Sequence, residues 1–421
     1  MQKLDTLENG LKTMACPMSG MESVAIGIWV RAGGRYESAG ISGISHLLEH
    51  LLFKGTATRD MMAIKQEIEG RGGSFNGFTS EEHTCYLVKL LGKDAELGID
   101  ILSDMVLNPK LDESEIAKEK EVIIEEIKMY KDMPAHYVHE ILTEEMWPEQ
   151  PLGMPLAGTV ESVKAVSRSE VVKYKEAYYN PGNIFVIAAG NVDEDALAEM
   201  SKKYLSGARS GGTSKFDKVR ISQGSPRLNL NVKKTEQTHL AFGFHAVDRF
   251  HPDKHALSIA NIILGANMSS RLFHIVRDEM ALCYEISSSI RRYEDCGALV
   301  IAAGVDDRKL IKAIEVILKE LARLAKEPIP EGELRRAKEY YRGQLLFALE
   351  DTMSHMLWLG EKVVAGEKDL TARPILEKVE AVSSEDIMRV SKGLFKDNNL
   401  NLAIIGPSGD ERQIKEALHF Q

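Results

Sequence analysis

His46-Leu47-Leu48-Glu49-His50-Leu51-Leu52-Phe53 sets two histidines four residues apart, with a glutamate between them and leucines filling the gaps. In a helix, positions four apart lie one turn above each other. Both imidazoles therefore point the same way, and Glu49, three after His46, joins that face. Leu47, Leu48, Leu51 and Leu52 take the opposite side and anchor the helix in a core. Two neutral imidazoles plus one further ligand suit zinc, and a nearby carboxylate not needed as a ligand is placed to act as a base. The order H-x-x-E-H inverts the commoner H-E-x-x-H.

The third ligand has to come from another segment. Residues 113–130 read as a long helix whose apolar stripe runs Ile116, Ile123, Ile127, Tyr130. Glu119 and Glu126 fall inside that stripe, two turns apart, whereas Glu121 and Glu125 lie off it or at its edge. An ionised carboxylate facing a core is costly unless it is paired or bound to a metal. Glu126 is the candidate third ligand. Glu119, one level below, joins Glu49 as a candidate catalytic carboxylate, as an electrostatic or supporting partner of the metal.

Composition bounds the rest. The chain has 421 residues, 44% hydrophobic and 28% charged, enough for two or more domains. No run resembles a secretory signal or a membrane span, and Cys16, Cys85, Cys283 and Cys296 show no paired spacing. Reduced thiols and a cytoplasmic location are expected. A net charge of −10 argues against nucleic acid as a partner.

Two halves are visible. Residues 206–224 are rich in Gly, Ser and Lys and read as a linker, which places one domain at 1–210 and a second at 225–421. Strand-like segments at 24–32, 84–91 and 183–190 precede the linker; 240–247 and 298–303 follow it, with a helix at 254–264 between them. Glu113-Ser114-Glu115-Ile116 matches Glu331-Gly332-Glu333-Leu334 at an offset of 218, where Glu126 corresponds to Gln344. The second half thus reads as a copy of the first without the metal site.

The histidine motif followed 76 residues later by Glu126 resembles the pitrilysin/insulinase family of zinc peptidases. The branch it resembles is the mitochondrial processing peptidase β-subunit and its bacterial relatives. Further family-like segments are Leu52-Phe53-Lys54-Gly55-Thr56, Gly72-Gly73-Ser74-Phe75-Asn76-Gly77-Phe78-Thr79-Ser80, Tyr179-Asn180-Pro181-Gly182-Asn183, Gly190-Asn191-Val192 and Ser269-Ser270-Arg271-Leu272-Phe273. The resemblance implies an α+β fold of two duplicated domains, each a mostly antiparallel sheet flanked by helices, with one Zn2+ per chain in the first. It implies a metalloendopeptidase in which Glu49 is the base, Phe53 lies beside the residue after the cleaved bond, and Asn76 contacts the substrate backbone. Residues 74–80 alternate as an exposed edge strand would, suited to adding an extended peptide. Arg277 and Tyr284 match the family's substrate-clamping pair. Gly77 departs from the alanine of many relatives, a change expected to leave the chemistry alone.

Larger members join four such domains in one chain. This chain, holding two, is expected to pair into a homodimer, or a heterodimer as in mitochondria, around peptide substrates such as basic presequences. The competing reading is a non-catalytic structural subunit; those relatives have lost zinc ligands, whereas His46, Glu49, His50 and Glu126 are all present here.

Overall fold

The alternating segments form two sheets in a computed structural model that describes residues 4–209, 211–213, 215–407 and 410–420. The first contains β1 (Asp5–Thr6), β2 (Lys12–Pro17), β3 (Ser23–Val30), β4 (Ser74–Thr79), β5 (Thr84–Leu91) and β6 (Ile184–Gly190), in the order β1-β2-β6-β3-β5-β4. The second contains β7 (Arg227–Val232), β8 (Thr238–Ala246), β9 (Cys283–Arg292), β10 (Gly297–Val305) and β11 (Leu400–Gly406), in the order β7-β11-β8-β10-β9.

The sheets are copies of one another. Laying β2–β6 over β7–β11 reproduces the strand order, and the parallel pair is β2 with β6 in one and β7 with β11 in the other. The remaining pairings are antiparallel. Helix Glu331–Ala348 begins 218 residues after helix Glu113–Lys131 (331 against 113), the offset read from the sequence. The fold is α+β and duplicated, as expected.

The domain boundaries differ from the linear division at the linker. Two compact units form from discontinuous segments: 1–128, 154–217 and 346–370 in one, 129–153, 218–345 and 371–421 in the other. Helix Pro134–Met146 therefore belongs with the second sheet and helix Thr352–Ala365 with the first. The reason lies in the strands. On β3, Val24, Ile26, Ile28 and Val30 face a core built with the histidine helix, while Ala25 and Trp29 face the other way and are also fully buried. A sheet that is apolar on both faces needs a second cover. Met356, Leu359, Val363 and Val364 supply it in the first unit; Val138, Ile141, Leu142 and Met146 do so in the second. Gly360 permits the close approach, since a Cβ there would meet Trp29 Cε2 at 2.3 Å.

Among the described residues no disulfide joins the four cysteines, and no helix is long and apolar enough to cross a membrane.

Candidate metal centre

The histidine helix runs Ile44–Leu52. It starts at Gly43, whose φ of 90° is open to glycine and where a Cβ would lie 2.5 Å from the Ala157 carbonyl oxygen. The N–H groups of Gly43 and Ser45 donate to the two oxygens of the buried Glu37 carboxylate, at 2.7 and 2.8 Å. A carboxylate there satisfies two of the donors a helix leaves unpaired at its start. Burial pushes the Glu37 carboxyl up to about 7 even so. Leu47, Leu48, Leu51 and Leu52 are at most 1% exposed, which pins the leucine side and turns His46, Glu49 and His50 to the opposite face.

Helix Glu113–Lys131 brings the third donor. Its Ile116, Ile123 and Ile127 are buried, as the stripe implied; Tyr130 is 41% exposed and is not part of that core. Glu126 Oε2 sits 3.8 Å from His46 Nε2 and 3.9 Å from His50 Nε2. One donor atom from each of the three lies within 4.8 Å of the others, and this is the one such group of three among the described residues. Tetrahedral bonds of about 2.05 Å would separate donors by about 3.3 Å, so a zinc ion requires the Glu126 oxygen and each imidazole nitrogen to draw in by about half an ångström. Burial, then the neighbouring His50, lowers His46 to about 4, which leaves its imidazole neutral at pH 7, the form that binds metal. The residues present fit zinc.

Glu119 lies outside this donor set. Its Oε2 accepts from His50 Nδ1 at 3.2 Å, and its Oε1 pairs with Lys54 Nζ at 2.7 Å. The carboxylate, only 5% exposed, thereby fixes which nitrogen of His50 faces Glu126. Its place is that of a positioning group behind a ligand rather than a group at the reacting atoms. Replacing Glu119 with Gln is expected to weaken zinc affinity by about 10–100-fold, measured by competition with a chromophoric chelator. Unchanged affinity would remove this role.

Glu49 is 8% exposed and accepts a hydrogen bond from Thr79 Oγ1 at 2.5 Å. Burial raises its carboxyl above the ordinary range, partly offset by the Thr79 bond and by His50. The Phe53 ring, just past the helix end, packs on Phe75 and Tyr86 with centroids 5.7 and 6.0 Å away. Gly77 lies beneath it: a Cβ there would be 2.9 Å from Phe53 Cε2 and 3.3 Å from Glu49 Cγ. A side chain at 77 would have to be met by a small shift of the Phe53 ring tip.

β4 is an edge strand, paired through β5 alone. Phe75, Gly77 and Thr79 face the histidine helix. Asn76 is on the other face, exposed, with its Oδ1 accepting from the Gly77 N–H at 2.9 Å. His46, His50 and Glu126 are assigned to the first unit, Arg277 and Tyr284 to the second. They meet each other: the Arg277 guanidinium stands 4.4 Å from the Phe273 ring centre and 5.4 Å from that of Tyr284, which is 77% exposed. Sequence reasoning passed over Thr79 and Lys54. The period of two from Phe75 through Gly77 puts Thr79 on the helix-facing side, and Lys54 follows His50 by four residues but beyond the last helical turn.

Residues 14–160 match the family described as insulinase (peptidase family M16), and residues 165–341 match the domain described as the peptidase M16 inactive domain. The zinc protease YmxG of Bacillus subtilis is 35% identical over 97% of this chain and 99% of its own length. A zinc protease of Mycobacterium tuberculosis is 32% identical over 98% of this chain and 95% of its own. The crystal structure of a protease from Helicobacter pylori superimposes with a TM-score of 0.90 at 22% identity, covering 97% of this chain and 99% of that one. A peptidase M16 inactive domain structure from Pseudomonas fluorescens does so at 0.90 and 16%, covering 97% of this chain and 98% of that one.

Proposed function

The chain belongs to the insulinase family of zinc peptidases (M16), and from that premise we propose that it is a metalloendopeptidase using His46, His50 and Glu126 as ligands and Glu49 as general base. The observation that carries this is the convergence of Glu126, from a helix more than 60 residues away, onto the two imidazoles at 3.8 and 3.9 Å. A zinc ion held by His46, His50 and Glu126 would supply an acidified water and polarise a substrate carbonyl. Glu49 takes the proton of the attacking water and returns it to the departing amine. Thr79 holds one Glu49 oxygen, leaving the other for that exchange. Glu119, bridging Lys54 and His50, keeps one ligand aimed.

The substrate is an unfolded peptide, laid in extended form along the open edge of β4. Asn76 caps the outward Gly77 N–H in the free protein and yields it to a substrate carbonyl on binding. Phe53 lines the subsite after the cleaved bond, and Arg277 with Tyr284 acts on peptide held by a partner protomer in a homodimer. The exposure of Tyr284 supports a role in binding. One experiment tests the reading: the purified chain, at the mass of a dimer, carries one zinc and cleaves an unstructured peptide, loses cleavage on chelation and regains it with zinc. Cleavage that survives complete zinc removal would end the proposal.

A further inference from the structure

Helix Pro134–Met146 meets the second sheet through Val138, Ile141, Leu142 and Met146, each at most 4% exposed. Beside that apolar row runs a second, His139, Thr143 and Trp147, spaced four residues apart, with Trp147 just past the helix end. The Thr143 hydroxyl donates to the His139 carbonyl at 2.7 Å and accepts from Arg291 Nη1 at 2.6 Å. The Trp147 ring stands 5.6 Å from that of His245 and 5.7 Å from that of Tyr293. Arg291 on β9, Ala298 on β10 and His245 on β8 pair in register, so all three share the face that this helix covers. Both histidines thus lie in one interface, inside one unit.

His245 is 9% exposed. Among the described residues neither of its ring nitrogens, nor Nδ1 of His139, has a hydrogen-bond partner. The charges that act on the two rings are positive. Arg227 on β7, whose Nη1 donates to the Glu145 carbonyl at 2.8 Å, acts on His245; Arg291 and then His136 act on His139. The acidic groups of the helix are engaged elsewhere: Glu145 turns its carboxylate to Asn229 on β7, 3.5 Å away, and Glu140 and Glu144 act on Tyr137. Tyr293, 5% exposed, adds an uncharged phenol. Burial first, then these cations, lowers both imidazoles to about 4. The interface tolerates them neutral; a proton on either would place a poorly hydrated cation beside a guanidinium.

We propose that His139 and His245 form an acid-sensitive latch, which keeps helix Pro134–Met146 seated on the second sheet while both rings are neutral and releases it when they take up protons. The seated state binds fewer protons than the released one, whose histidines titrate near 6.5. Stability is therefore full above about pH 6.5 and falls as pH drops toward 4. Each histidine lowers the ratio of seated to released helix by up to about tenfold per pH unit across that window. Release uncovers an apolar face of the sheet, so the device confines the intact fold to neutral pH. It is independent of the peptidase reading.

Hydrogen exchange on the full chain at saturating zinc, corrected for the intrinsic rate at each pH, tests it between about pH 7.5 and 5. In the parent, residues 134–147 are expected to lose protection before the strands of either sheet. The His139→Gln/His245→Gln variant keeps polar side chains there but cannot take up the protons. Its protection over 134–147 should fall at least about tenfold less across the same range. Zinc ligands titrate alike in both proteins, so the difference reports the latch. The same fall in parent and variant overturns the proposal. The parent series decides by itself if the variant does not fold: early loss confined to 134–147 supports the latch, and simultaneous loss over the whole second unit overturns it.

Discussion

Glu49→Gln is expected to abolish peptide cleavage, lowering kcat by about 10²–10⁴-fold while zinc content stays at one per chain. The amide is nearly isosteric and can still accept the Thr79 hydroxyl, so the contacts that seat residue 49 persist. What it lacks is a basic oxygen to take the water proton. Residue 49 shares the metal-facing side of the helix with its two histidines but lies outside the donor set, so ligand geometry should be untouched. Metal analysis alongside steady-state kinetics on an unstructured peptide decides it. A variant that cuts at the parent rate assigns the base to another group; one that loses zinc makes Glu49 a ligand.

Glu126→Ala is the second large effect. Removing one of three protein donors leaves two imidazoles, and the expected result is a chain that retains little zinc after dialysis and shows no measurable cleavage. Glu125→Ala is the matched control. Residue 125 is one position away on the same helix, but its side chain is 70% exposed and pairs with Lys128 in solvent, an interaction of at most about 1 kcal/mol. That variant should hold zinc and cut normally. Equal zinc retention in the two variants would mean the third donor lies elsewhere.

The histidine helix and both acidic positions on Glu113–Lys131 were readable because each lies on a regular element, where spacing dictates direction. The leucine face of the first buries as its period requires, and Ile116, Ile123 and Ile127 do the same on the second. Lys54 and Thr79 were less legible. One sits past a helix end, where the period of 3.6 no longer applies. The other acts through a single contact whose partner, Glu49, comes from 30 residues away.

Which residue types form strands, where the histidines point and that the chain repeats itself were all determined by local pattern and internal similarity. Tertiary structure alone decided that helices Pro134–Met146 and Thr352–Ala365 each cover the sheet built by the opposite half of the chain. It also decided that Glu119 stands behind His50 while Glu126 stands in front, and that Gly77 sits under Phe53. The physical reason is that periodicity specifies the direction of a side chain within its own element. What that side chain meets depends on long-range packing of two-faced apolar sheets, which no local window contains.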